Sequence, residues 1–188
     1  MLNTRSGALG LVIACALLSM SCISPCYLGL GARNRAPTAT PLPTVPPSES
    51  AASSFEEKAR AFEDSTFRVE FTDQEVTSYL ALHLPDSVPL SSPRVAFQPG
   101  QFTVEGDLTA PVRGHLVLSG TISVDAGKPQ VIFQSARVAG VTLPQALLGS
   151  LSDSIAQMIL EDAPGVQLEQ VELLAGRIVI AGRNSATP

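Results

Sequence analysis

The sequence predicts an α+β domain, a curved, mainly antiparallel sheet packed around one long amphipathic helix, with two shorter helices on its N-terminal side. Three observations predict it. The stretch Leu143 to Asp162, LPQALLGSLSDSIAQMILED, has the period of a helix. At about 100° per residue, Leu143, Leu147, Leu148, Leu151, Ile155, Met158 and Ile159 share one arc, with Gln145, Gly149, Asp153 and Gln157 opposite. Most of what flanks this stretch alternates apolar and polar residues, the period of half-buried strands. Turn signals such as Pro99-Gly100 and Ala175-Gly176 separate those runs.

In chain order, the first folded element is a helix whose start is read at Ser54 and Glu57, a capping box, with Phe55, Ala59 and Phe62 at helical spacing. Ser65 to Thr72 then alternates: Phe67, Val69 and Phe71 face one way, Arg68 and Glu70 the other. Thr72 and Glu75 form a second capping box and open the helix DQEVTSYLALH, whose apolar stripe is Val76, Tyr79, Leu80 and His83. A lone histidine on such a stripe is usually a satisfied helix-end or core residue. Pro85, Pro89 and Pro93 make the next segment a loop.

Arg94 to Phe97 leads through Pro99-Gly100 into a strand over Gln101 to Ala110. There Phe102, Val104, Leu108 and Ala110 face the core, and Gln101, Thr103, Glu105, Asp107 and Thr109 face solvent. Val112 to Asp125 repeats the alternation with Leu116, Leu118, Ile122 and Val124 inward. At roughly 3.3 Å per residue that strand is too long to lie flat in a small domain, so Gly114 and Gly120 are its expected points of bending or bulging. Ala126 to Pro129 turns the chain into Gln130 to Val138. The long helix follows, with Thr142 and Gln145 at its start, Pro144 in its first turn and Pro164-Gly165 beyond its end. Val166 to Leu174 and Arg177 to Ala181 close the domain as a hairpin.

The N-terminal region divides differently. Between Arg5 and Arg33 the chain carries no charge, and Gly7 to Gly31 is mostly apolar, enough for a bilayer span of about 20 residues. Three readings stand: an uncleaved membrane anchor, which the length favours; a lipoprotein signal with Cys22 as the lipidated residue; and a cleaved secretory signal. The residues before Cys22 fit a lipidation pattern poorly, and ISPCYLGLG after it stays apolar. Ala32 to Ser53, with Pro37, Pro41, Pro43, Pro46 and Pro47, reads as an extended stalk. A stalk behind an anchor is most useful outside the cytoplasm, so the expected order is residues 1–31 anchor or signal, 32–53 linker, 54–183 extracytoplasmic domain and 184–188 tail.

Composition excludes more than it assigns. Charged residues are 15% of the 188-residue chain and the net charge is −5, with no basic patch interleaved with aromatics, so no nucleic-acid partner is expected. Cys15, Cys22 and Cys26 all lie in the apolar N-terminal segment, which leaves the domain no thiol ligand or disulfide. His83 and His115 are isolated from any metal-ligand spacing, glycines do not cluster as a phosphate loop requires, and no G-x-S-x-G elbow occurs. Glu105 and Asp107 share a strand face, where paired carboxylates are usually plain solvation. The expectation is a domain without catalytic, metal or cofactor-binding residues.

The order of motifs is itself a signal. FRVEFTDQEVTSYLALHL, followed by a strand meander, GVTLPQALLGSL and PGVQLEQVELLAGRIVIAG, resembles a group of uncharacterised bacterial envelope proteins over roughly Phe55 to Arg183. More distantly it is similar to the tubular lipid-binding superfamily, in which a curved sheet wraps a long helix beside an apolar groove. That resemblance implies a lipid ligand, without a residue-level motif that carries over. A groove between helix and sheet in this chain would be lined by Phe102, Leu116, Leu118, Phe133, Leu147, Leu151 and Ile155. The expected function is therefore a membrane-anchored, non-enzymatic domain that binds a lipid or other apolar molecule; the alternative is a structural or protein-interaction module of the cell envelope. The membrane is the one partner the sequence implies directly, and protein partners are left open.

Overall fold

The computed structural model describes residues 46–84, 88–109, 113–146, 148–149, 152 and 165–185. Helix α1 (Glu49–Ala59) and a 3-10 turn (Arg60–Glu63) precede strand β1 (Thr66–Thr72) and helix α2 (Asp73–His83). Strands β2 (Leu90–Gln98), β3 (Gln101–Leu108), β4 (Gly114–Asp125), β5 (Lys128–Val138) and β6 (Val141–Thr142) follow, and β7 (Val166–Leu174) and β8 (Arg177–Asn184) end the described chain. They form two antiparallel sheets, a three-stranded one in the order β1-β8-β7 and a five-stranded one in the order β2-β3-β4-β5-β6.

This corrects the expected architecture. The described protein is mostly antiparallel sheet with short helices, and no long amphipathic helix organises it. Helix α1, at 11 residues, is about 16 Å long, against the roughly 30 Å foreseen for Leu143 to Asp162. Within that stretch Gln145, Ala146, Leu148, Gly149 and Ser152 are helical, and Leu147, Leu151 and Ile155 lie outside the described residues. The physical reason is that the strands bury their apolar faces against elements the sequence treats as peripheral. Phe67, Val69 and Phe71 of β1, Ile178 of β8 and Leu173 of β7 share one core with Phe97, Phe102, Leu116, Leu118 and Phe133 of the larger sheet. From Leu143 to Asp162, the described contributors are Leu143 and Leu148.

Helix α1, the 3-10 turn after it and α2 cover part of that core with rings. Phe55 stacks on Tyr79 at 4.3 Å and meets Phe71 at 4.7 Å, and Phe62 stands edge-on to Phe67 at 4.9 Å. Helix α1 begins at Glu49, after Ser48, so it takes in residues assigned to the linker from sequence, and Ser54-Glu57 is not its cap. Tertiary contact sets that start: Ala52 is buried, and the Ser48 amide donates to the fully buried Ser78 hydroxyl at 3.1 Å. At the other end, β8 runs on to Asn184, whose side chain donates to the Phe62 carbonyl.

The α2 cap forms as the sequence motif requires. Thr72 accepts from the Glu75 amide, and the Glu75 carboxylate accepts from the Thr72 amide at 2.8 Å. The second carboxylate oxygen holds Lys58 of α1 at 2.7 Å.

The segment around Pro93, expected as a loop, is part of β2. It is admitted there by a bulge between Ser91 and Arg94, with Ser92 left-handed at φ 51°. A proline at a bulge removes no ladder hydrogen bond. In the larger sheet a second bulge falls opposite Ser119 and Gly120, where β5 contains one extra residue, Gln134. Gly120 is required by close approach: a Cβ there would sit 2.6 Å from the Ile132 carbonyl oxygen and 2.8 Å from the Phe102 ring.

Backbone bonds join the two sheets at the hairpin tips. Gly100 donates to the Leu173 carbonyl and Gly176 to the Phe97 carbonyl, both at 3.0 Å, and Leu168 donates to the Gly127 carbonyl at 2.9 Å. Strand β7 thus crosses the ends of the β2–β3 and β4–β5 hairpins.

Candidate interaction surface

Four residues expected to line an apolar groove, Phe102, Leu116, Leu118 and Phe133, point into the shared core and are between 3% and 7% exposed. Phe102 and Phe133 meet edge to face at 5.9 Å. Side chains this buried touch other groups over nearly their whole surface. Leu147, Leu151 and Ile155 lie outside the described residues, as do Cys22 and the whole Gly7 to Gly31 segment. Among the described residues no helix is long and apolar enough to cross a membrane.

His83 ends α2 as an anchored residue. Its Nδ1 lies 3.1 Å from the Tyr79 carbonyl oxygen, its Nε2 lies 3.3 Å from Glu56, and its ring stacks on Tyr79 at 4.7 Å. Burial, assisted by the Glu56 carboxylate, pushes the Tyr79 phenol up from its ordinary value.

His115 is placed differently. On the face of the larger sheet turned away from the core, its Nδ1 lies 3.0 Å from Asp107 and its Nε2 lies 3.9 Å from Glu105. Arg94 approaches the same Glu105 oxygen at 3.9 Å. Glu105 was expected to face solvent, and it is only 3% exposed. It stands between its register partners Arg94 on β2 and Val117 on β4, and these neighbours, with His115, close over it. A carboxylate taken out of water needs a cation beside it, and the Arg94 guanidinium is one. Local alternation carries no signal for this, because the covering residues come from other strands. No hydroxyl or thiol bonds to His115 among the described residues, and no group of three His, Cys, Asp or Glu there could hold a metal ion. The cluster has the makings of an ion network and lacks those of a nucleophilic centre.

The middle of that outer face is uncharged. Thr103, Ser119 and Ser135 form a row across β3, β4 and β5, with the two serine hydroxyls 2.7 Å apart. Thr121 and Ile132 form the next register pair, and Ile132 is 51% exposed. Arg94, Glu105, Asp107, His115 and Arg137 gather at one end, and Asp125 stands opposite Lys128 at the other. The smaller sheet presents the opposite character. There Arg68 reaches across β8 to Gln170 at 3.3 Å, Arg177 pairs with Glu70 at 3.5 Å and Arg183 with Glu169 at 2.7 Å, so long polar chains arch over Val179 and Ala181.

Both edges of the larger sheet are closed by side chains of helical residues. At β2, the Thr77 hydroxyl accepts from the Val95 amide at 2.9 Å and Asp73 accepts from the Phe97 amide at 2.8 Å. At β5, the Ser152 hydroxyl accepts from the Phe133 amide at 3.1 Å. Burial pushes the Asp73 carboxyl up, against the opposing pull of the Phe97 amide. Neither edge is open to another strand at these points, which directs recognition to the faces. Compared with known proteins, the chain matches no family model, no curated protein and no solved structure.

Proposed function

We propose that this chain is a non-enzymatic, membrane-anchored domain of the cell envelope, held on the extracytoplasmic side by Gly7 to Gly31 and the proline-rich stalk, and that it acts by binding a protein. One observation carries the reading: the outer face of the larger sheet has an uncharged centre, Thr103, Ser119, Ser135, Thr121 and half-exposed Ile132, with charges only toward its two ends. Protein interfaces have this anatomy, depleted of charge in the middle and polar at the rim. A lipid ligand, the other reading of the sequence, needs accessible apolar lining, and the four described residues that would supply it are 7% exposed or less.

The test is site-specific photocrosslinking of the full chain in its own membrane, with the reactive group at Ser119 or Ile132 and, as a control, at Glu172 on the smaller sheet. A protein adduct of one defined mass from the first two positions and not from the control supports the proposal. No adduct from either position overturns it. Lipid recovered in stoichiometric amount by organic extraction of the purified full chain would replace it with the lipid reading.

A further inference from the structure

Strand edges distinguish β1 from the rest of the molecule. Edge strand β2 is bulged and capped by α2, edge strand β7 is bulged and bonded to the hairpin tips, and β6 is two residues long. Such features keep an edge from pairing with another chain. Strand β1 has none of them between Phe67 and Phe71; only its last amide, that of Thr72, is taken, by the Glu75 carboxylate at 2.8 Å. Its seven residues pair with β8 in unbroken register, and among the described residues no backbone or side-chain group bonds to the Phe67 to Phe71 backbone from the other side. Alternate residues of such a strand turn their N–H and C=O groups outward, a ready template for one more antiparallel strand.

The sequence of this edge is a palindrome in chemical terms. It reads Thr66-Phe67-Arg68-Val69-Glu70-Phe71-Thr72. Antiparallel pairing of two copies about Val69 sets Thr66 opposite the partner's Thr72, Phe67 opposite the partner's Phe71 and Arg68 opposite the partner's Glu70. A two-fold interface requires that each contact occur twice with the roles exchanged, and this strand satisfies that with charges of opposite sign. Arg68 and Glu70 are free to serve. Both stand exposed on the outer face, and their present partners, Gln170 at 3.3 Å and the half-exposed Arg177 at 3.5 Å, are solvent-exposed contacts of little worth.

We infer that β1 is a self-association edge: two copies of this chain pair antiparallel through Thr66–Thr72 about a two-fold axis at Val69, joining their three-stranded sheets into one of six strands. The partner is a second copy, because the charge order Arg-Val-Glu is complementary to itself. The inference is independent of the outer face of the larger sheet, since β1 lies in the other sheet.

The test is sedimentation of the full chain in detergent over a dilution series, for wild type, Arg68→Glu, Glu70→Arg and the double swap. Wild type should dimerise. Each single reversal sets two like-charged pairs across the axis and should weaken the dimer roughly tenfold or more. The double swap restores both opposite pairs and should restore the wild-type association. Amide exchange on wild type alone gives a second reading that needs no variant: β1 amides should gain protection as concentration rises. A monomer at every concentration, open-ended assemblies, or a double swap no tighter than the single reversals would overturn the inference. So would β1 exchange that does not depend on concentration.

Discussion

The hydroxyl of Thr77 holds both backbone groups of Val95, accepting its amide at 2.9 Å and donating to its carbonyl at 3.4 Å. A side chain of α2 thereby stands where a neighbouring strand would otherwise pair with β2. Thr77 is only 6% exposed, so a substitution that leaves the Val95 amide unmet leaves it unmet away from water. Thr77→Val should lower stability by about 1–3 kcal/mol, the cost of an unsatisfied buried donor. Thr77→Ser, which keeps the oxygen, should cost clearly less. Urea denaturation of the two variants checks this; equal losses would show that the methyl group matters and the hydroxyl does not.

Ser152 does the same at the opposite edge, linking the Phe133 amide at 3.1 Å to the Leu148 carbonyl at 3.0 Å. Ser152→Ala should cost about 1 kcal/mol and should speed hydrogen exchange at the Phe133 amide more than elsewhere in β5. Unchanged exchange at Phe133 would argue that this edge is protected by something other than the hydroxyl.

Glu75 gives the domain a pH-dependent term. Burial alone would raise its carboxyl, but Lys58 and the Thr72 amide and hydroxyl outweigh that and hold it below its ordinary value of 4.5. A depressed folded-state value means a contribution fully present above 4.5 and lost as pH falls through the lower folded value. Asp73, raised by burial from 3.8, has the opposite sign: its contribution is present in acid and lost as pH rises through its folded value. Glu75→Gln should therefore be less stable than wild type at neutral pH, with the gap closing below 4.5. Denaturation midpoints across that range read the effect, and a gap that stays constant with pH would remove the electrostatic explanation.

Two glycines make a contrasting pair. Gly120→Ala drives a methyl group against the Ile132 carbonyl and the Phe102 ring, 2.6 and 2.8 Å away, and should cost about 1–3 kcal/mol. Gly149 is helical and exposed, with nothing within 4 Å of an added Cβ. Gly149→Ala should stabilise by about 0.5–1 kcal/mol. Thermal denaturation of both variants decides the matter by sign.

What the sequence by itself determined is local. The alternation of Phe67, Val69 and Phe71 set the buried face of β1, and Thr72 with Glu75 started α2, because period and capping act within a few residues. Pro99-Gly100 and Ala175-Gly176 turned the chain through the left-handed conformation of each glycine, at φ 74° and 76°. The inward direction of Phe102, Leu116, Leu118 and Phe133 was legible in the same way. What covers those residues was not, because periodicity states that a face is apolar and says nothing of its partner. Tertiary structure decided that the two sheets and the α1–α2 rings meet in one core, where the sequence had placed a long helix. It also placed Pro93 inside a strand by a bulge and drew α1 back to Glu49 through Ser78, a residue of the next helix. The burial of Glu105 follows the same logic. Its cover comes from Arg94, Val117 and His115 on two other strands, and only the register of those strands brings them over it.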